Sequence, residues 1–223
     1  MDVKLLFQAI EKFAAGLLMI GLILFLPAGT WRYPGGWLFC ALLFIPMLLL
    51  GVVLFVKAPD LLRKRLASRE KENAQKQVIG VSLLMFVGGF VVAGLDFRFG
   101  WSRMPLWITA AASVILLVSY GLYAEVMREN AYLSRTVEVQ KDQKVIDTGL
   151  YGIVRHPMYM ATVFLFLSIP LVLGSWFAFA IFLIYPALLV KRIRNEEAVL
   201  EAGLPGYTAY KQKVRYRMLP FIW

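Results

Sequence analysis

Residues 147–197 read DTGLYGIVRHPMYMATVFLFLSIPLVLGSWFAFAIFLIYPALLVKRIRNEE. Two apolar stretches, 158–173 and 176–190, are joined by little more than Gly174-Ser175 and carry charge only at their far ends. Each approaches the roughly 20 apolar residues that a helix needs to cross a hydrocarbon core of about 30 Å. The first is short, which implies little tilt or a start inside the interfacial layer. A connection this brief folds the two spans into a hairpin, so Arg155-His156 before the first must neighbour Arg192 to Glu197 after the second.

Working outward, residues 9–28, 36–56, 78–95 and 105–124 are further apolar stretches of spanning length. With 60% hydrophobic residues and a mean hydropathy of +0.69, the chain lies outside ordinary globular composition. The fold class expected is an all-α polytopic integral membrane protein with about six transmembrane helices and its polar chemistry gathered at a cytoplasmic C-terminal site. Residues 1–127 hold the first four spans and residues 128–223 form the functional core. Lys4 and Lys12 precede the first apolar stretch as in a signal peptide, but it ends in Pro27-Ala28-Gly29-Thr30-Trp31 without a small-x-small pattern, so a retained span is expected.

Charge sets the orientation. Of 24 Lys and Arg, only Arg32, Arg98 and Arg103 fall on the side opposite the termini, which places both termini in the cytoplasm by the positive-inside rule. The net charge of +10 therefore serves topology; no separate basic domain points to nucleic acid. Trp31, Trp37, Trp101, Trp107 and Trp176 lie near the outer span ends, where amphipathic rings favour the interface. The middles of the spans lack ionisable residues, which argues against coupled transport. One cysteine, Cys40, and one histidine, His156, allow neither an internal disulfide nor a Cys- or His-based metal site, so no metal is expected.

Three segments lie outside the spans. Residues 59–77 set Leu61, Leu62 and Leu66 among basic residues, suiting either a helix on an anionic leaflet or a solvated connector. Residues 137–140 and 144–147 alternate around Lys141-Asp142-Gln143, which predicts a small β-hairpin. After residue 190 the sixth span should continue as a helix to Gly203, with Pro205-Gly206 breaking it before a last basic, aromatic helix.

Pro157 suits the first position of a helix, with His156 at the cap. The N–H groups of Met158, Tyr159 and Met160 would then face the loop, forming an anion site reinforced by Arg155. The alternative is an interfacial helix start with a snorkelling arginine. Gly149 and Gly152 permit positive φ or close backbone approach. Arg192 and Glu196, four residues apart, share a helical face: either an ordinary exposed helix end, or a carboxylate for ribose hydroxyls or an ammonium beside a guanidinium for an anionic acceptor.

Gly149, Tyr151, Val154-Arg155-His156-Pro157 and Tyr159, followed by Arg192, Glu196-Glu197, Leu200, Tyr207, Tyr210, Val214, Arg217 and Pro220, resemble the ordered motifs of the isoprenylcysteine carboxyl methyltransferase family and related phospholipid methyltransferases. The resemblance runs from about Arg128 to the end of the sequence. It implies a membrane methyltransferase whose cofactor, S-adenosyl-L-methionine, is clasped by Tyr151, Arg155, His156, Pro157, Tyr159, Glu196 and Glu197. On the same grounds Arg192 lies nearest the acceptor, with Tyr159 beside the reacting groups and Asn130 as a further substrate contact. Ala161, Leu150 and Thr162 depart from the family pattern; Thr162, where the prenylcysteine enzymes carry an aromatic residue, weakens the case for prenylated protein as substrate.

The partners implied are the bilayer and a membrane lipid or lipophilic small-molecule acceptor, in a prokaryotic plasma membrane, with oligomeric state left open. A carboxylate acceptor needs no base, whereas an amine or thiol must lose a proton, with Glu196, Glu197 or Tyr159 as candidates. The alternatives are a phospholipid N-methyltransferase or small-thiol S-methyltransferase of the same fold, an NADPH-dependent enzyme resembling sterol reductases, and a non-enzymatic membrane subunit.

Overall fold

The computed structural model describes residues 3–66, 73–133 and 139–223, and these are helical with no strand among them. Helices α1 (Val3–Ala28), α2 (Pro34–Lys57), α4 (Asn73–Phe99) and α5 (Leu106–Glu129) are long, and α3 (Pro59–Leu66) is a brief helix after α2. A 3-10 turn, Gly149–Gly152, leads to α6 (Pro157–Val172), α7 (Trp176–Phe182), α8 (Ile184–Gly203) and α9 (Tyr207–Lys213). Five helical stretches are long and apolar enough to cross a membrane: Val3–Ala28, Pro34–Lys57, Val78–Phe99, Leu106–Glu129 and Trp176–Gly203.

The short sixth apolar helix, α6, has 16 residues, and more than half of them are buried. It packs chiefly against α5 and also touches α2, α4, α7 and α8, so neighbouring helices replace much of the lipid around it. The last span differs from a single helix: Pro186 has no N–H to offer the carbonyl one turn earlier, and the helix breaks at Leu183 into α7 and α8. The five interfacial tryptophans are between 42% and 71% exposed, consistent with rings facing lipid or the interface.

The turn end of the bundle is tied by polar contacts. Asp96, 1% exposed at the end of α4, accepts from Ser102 N–H (2.7 Å), from the Ser102 hydroxyl (2.6 Å) and from the Ser175 hydroxyl. The Ser175 oxygen in turn caps α7 by accepting from Ala178 N–H. Tyr33 donates to the Leu173 carbonyl at 2.6 Å, so α2, α4 and the α6–α7 turn are fastened together.

Two expectations fail locally. The described residues 139–147 form a turn, with Gln143 N–H donating to the Gln140 carbonyl, but no β-hairpin; Val137 and Glu138 lie outside the described residues. Val139 and Val145 pack instead against Leu204, Tyr207, Tyr210 and Val214, so their apolar alternation reports burial under α9. On α3, Leu61 and Leu62 are buried, Leu61 against Val126, Met127, Leu133 and Tyr151, which makes α3 a packed part of the bundle. The tail follows the sequence: α8 runs to Gly203, and Gly206 at φ +85 turns the chain into α9.

Glu129, at the end of α5, accepts from Leu150 N–H through both carboxylate oxygens (3.0 and 3.2 Å), and Gly149 makes that approach possible. Gly149 has φ +53, and a Cβ there would overlap the Glu129 carboxylate at 1.4 Å. Gly100 has φ +64 but open space around it. Gly100→Ala should therefore cost only the left-handed backbone penalty, about 1–3 kcal/mol, and Gly149→Ala clearly more, as read by thermal unfolding of the two variants side by side.

Candidate active site

At the end of the bundle opposite the Gly174-Ser175 turn, three segments meet: the entry to α6, the last turns of α8, and the chain after α9. Residues 154–156 and 216–217 run alongside each other, with Arg155 N–H donating to the Tyr216 carbonyl (2.9 Å) and His156 N–H to that of Arg217 (2.7 Å). His156 is the N-cap residue of α6 and Pro157 opens the helix, as the sequence predicts. The anion site foreseen at the helix start is not free, because the N–H groups of Tyr159 and Met160 both donate to the His156 carbonyl. Nor does Arg155 snorkel; it is 6% exposed.

The partner of Arg155 is Glu197, 3% exposed. Glu197 Oε1 accepts from Arg155 Nε at 2.8 Å and lies 3.3 Å from His156 Nε2, while Oε2 accepts from Arg217 Nε at 2.9 Å. Arg155 Nη1 completes its bonding on the carbonyls of Val214 and Arg215. One carboxylate thus joins α6, α8 and the terminal segment, and its charge is compensated on both oxygens.

Beside it lies a second polar group. The Tyr159 hydroxyl donates to Glu196 Oε2 and accepts from Arg192 Nε at 2.8 Å. The His156 ring stacks on that of Tyr159 with centroids 5.6 Å apart, and His156 Nδ1 is 3.9 Å from Glu196 Oε1. Asn130, at the C-cap of α5, donates to the Tyr151 hydroxyl at 2.9 Å, and the Tyr151 carbonyl accepts from the Tyr210 hydroxyl at 2.8 Å.

These groups border a narrow cavity of about 100 Å³. Asn130, Tyr151, Arg155, His156, Tyr159, Arg192 and Glu196 line it; Glu197 and Pro157 do not. Glu197 lies behind the wall because both its oxygens are already engaged, and Pro157 acts through the backbone of α6. Tyr207 and Tyr210, which belong to the C-terminal motif but carry no site role by sequence, also line the cavity. Tyr207 is 4% exposed and its hydroxyl has no hydrogen-bond partner among the described residues. The i, i+3 spacing after Pro205-Gly206 was the available signal, since it puts both rings on one face of a helix folded back over α8.

A second cavity, about 340 Å³, opens between α3, α4, α5, α6 and α8. Its walls are mainly apolar, with Leu83, Phe86, Phe166 and Leu189 prominent, and Arg65 and Arg192 are its cations. No Asp or Glu occurs among the described lining residues. Met158, Tyr159 and Arg192 belong to both cavities and form their common wall. The chamber has no signature in the sequence, because five separate helices contribute to it.

Residues 108–202 match the family model of the isoprenylcysteine carboxyl methyltransferase (ICMT) family. A solved structure described as the eukaryotic intramembrane Ras methyltransferase ICMT, without a monobody, is similar to this chain at 18% identity, with a TM-score of 0.56, covering 96% of this chain and 77% of that one. The family match begins within α5 and ends before α9, so it takes in Arg155, His156, Tyr159, Arg192, Glu196 and Glu197 but not Tyr207. The chain thus has the fold of that solved structure, with five helical stretches long and apolar enough to cross a membrane, and its residues 108–202 are similar to the ICMT family.

Removing the Glu197 carboxylate would strand the buried Arg155 guanidinium. Glu197→Ala should lower stability by about 3–5 kcal/mol, seen as a large drop in the unfolding midpoint, while Glu196→Ala, at the cavity edge, should shift it little. A second expectation concerns pH. Burial pushes the phenols of Tyr151, Tyr207 and Tyr210 well above their ordinary range, and the carboxylates of Glu197 and Glu196 push Tyr207 further. A raised folded value favours the neutral form, so this stability is complete below about pH 10, the ordinary phenol value, and is lost as pH rises beyond it. Tyrosinate absorbance from these rings should therefore appear together with alkaline unfolding and not before it.

Proposed function

We propose that the protein is an S-adenosylmethionine-dependent methyltransferase acting on a lipid-like acceptor at the membrane interface. The observation that carries this reading is the common wall of Met158, Tyr159 and Arg192 between a polar cavity and a larger apolar one. A charged nucleotide and a lipid-dissolved acceptor need unlike chambers that meet at one point, with water excluded from the meeting place.

The polar cavity fits the donor chemically. Glu196 suits its ammonium or ribose hydroxyls, the unpartnered Tyr207 hydroxyl suits its carboxylate or a ring nitrogen, and the stacked faces of His156 and Tyr159 suit a cation. At about 100 Å³ the cavity is tighter than ligand pockets of 300–1,000 Å³. Gln143, Lys144, Val145 and Ile146 line it from the turn after residue 139, and this turn is the cover that must shift to admit a nucleotide.

When bound, S-adenosylmethionine supplies a methyl group already activated on a sulfonium. The chain supplies orientation: Tyr159 is held between Glu196 and Arg192, and Arg192 also lines the apolar chamber. Arg65 and Arg192 line that chamber among mainly apolar side chains. A carboxylate acceptor gives a neutral ester with no proton to remove. Glu197 and Arg217 act as positioning residues behind the wall and hold Arg155, which lines the cavity. On this reading the basic site end faces the cytoplasm of a prokaryotic cell.

The test combines binding and turnover. Calorimetry of the full chain in nanodiscs should register S-adenosylhomocysteine and not NADPH. Tyr207→Phe should weaken that binding about 5–10-fold, the value of one hydrogen bond of about 1 kcal/mol. Arg192→Ala should keep it within a few-fold but cut transfer of labelled methyl into a lipid extract roughly tenfold or more. Binding of NADPH alone would overturn the proposal.

A further inference from the structure

The segment after α9 ends in a closed loop. The backbone N–H groups of Arg217, Met218 and Leu219 all donate to the Trp223 carbonyl, at 2.9, 3.0 and 3.2 Å. The loop has two kinds of apolar side chain. Met218 is buried in the main core, and Leu219 and Trp223 pack against it. Phe221 and Ile222 point away and are 87% and 77% exposed. Phe221 adopts φ +65, a left-handed conformation that residues with a side chain rarely take.

The loop is tied to the start of the apolar helix α6. Residues 216 and 217 are bonded to Arg155 and His156, the latter being the cap of α6, and the helix after that cap is apolar and buried in the bundle. Arg215, exposed, directly precedes this pair. Exposed phenyl and alkyl groups next to a cationic residue, at the first turn of a membrane helix, match the acyl boundary and anionic headgroups of a leaflet.

We propose that residues 217–223 form an interfacial hook: Phe221 and Ile222 insert into the leaflet that carries the protein, and Arg215 lies at its phosphates. The hook is linked to the site. The Arg217 guanidinium lies over the Trp223 ring at 5.2 Å and donates to Glu197, which holds Arg155 and His156. Seating the loop in lipid therefore keeps Arg217 on Glu197 and the wall of the polar cavity in place. This coupling, unlike the insertion itself, rests on the reading of that cavity as the cofactor site.

The test uses the full chain in nanodiscs of phosphatidylcholine and phosphatidylglycerol. In a Cys40→Ser background, single cysteines Phe221→Cys, Ile222→Cys and Ala202→Cys carry an environment-sensitive fluorophore, with Ala202 as the exposed reference on the last turn of α8. Labels at 221 and 222 should emit at shorter wavelength and be quenched by spin-labelled lipid, whereas the label at 202 should not. Spectra at 221 and 222 equal to that at 202 would overturn the hook. In a second arm, Phe221→Ser with Ile222→Ser should weaken S-adenosylhomocysteine binding about fivefold without a change in fold by circular dichroism. Unchanged affinity in that double variant would overturn the coupling. If the unaltered protein bound no S-adenosylhomocysteine, the assignment of the cavity would fail while the depth measurement still decided the hook.

Discussion

One buried carboxylate, Glu197, fixes the geometry of the site end, because it holds cationic partners from two other segments at once. Arg155 and His156 come from the entry to α6 and Arg217 from the chain after α9, and all reach the same side chain on α8. A buried ion pair contributes little net stability over an apolar replacement, but its partners cannot be separated without leaving a charge unpaired. Its consequence is therefore positional: with the guanidinium of Arg155 also bonded to two carbonyls of the terminal segment, the three chain segments have one mutual arrangement. Tyr159, Glu196 and Arg192 are then displayed in front of it.

The opposite end of the hairpin is fastened by similar logic at lower charge. Asp96 gathers Ser102 and Ser175, and Tyr33 reaches the Leu173 carbonyl, so the turn between α6 and α7 is held by hydrogen bonds in a setting with little competing water. Between the two ends, α6 is the most enclosed apolar helix, and its short length is tolerated because protein surrounds it. The result sets a polar chamber and an apolar one side by side, with residues of the first turn of α6 between them. On the function proposed above, that separation would let a polar donor and a lipid-like acceptor approach the same atoms from different sides.

Much of this was legible in the chain before any coordinates. The spans were visible because about 20 consecutive apolar residues have few other uses, and the Gly174-Ser175 connection forced His156 beside Glu196 and Glu197. The cap at His156 and the break at Pro205-Gly206 followed from local backbone chemistry. What misled was apolar alternation: Val139 and Val145 alternate as a strand would, yet they serve as a cover for α9. The N–H groups at the start of α6 seemed open to an anion, but the carbonyl of His156 takes two of them.

The sequence by itself determined that the chain is a helical membrane protein and which two motifs must meet, since apolar length and loop length act locally and one-dimensionally. Tertiary structure decided which of the twin acids faces the cavity: Glu196 looks in, and Glu197 is consumed by Arg155, His156 and Arg217. It also decided that Tyr207 brings an unpaired hydroxyl into the cavity, and that Met158, Tyr159 and Arg192 divide it from an apolar chamber built by five helices. Adjacent residues on a helix point about 100° apart, so identity and spacing alone do not say which one a distant guanidinium will claim; only the packing of α6, α8 and the terminal segment does.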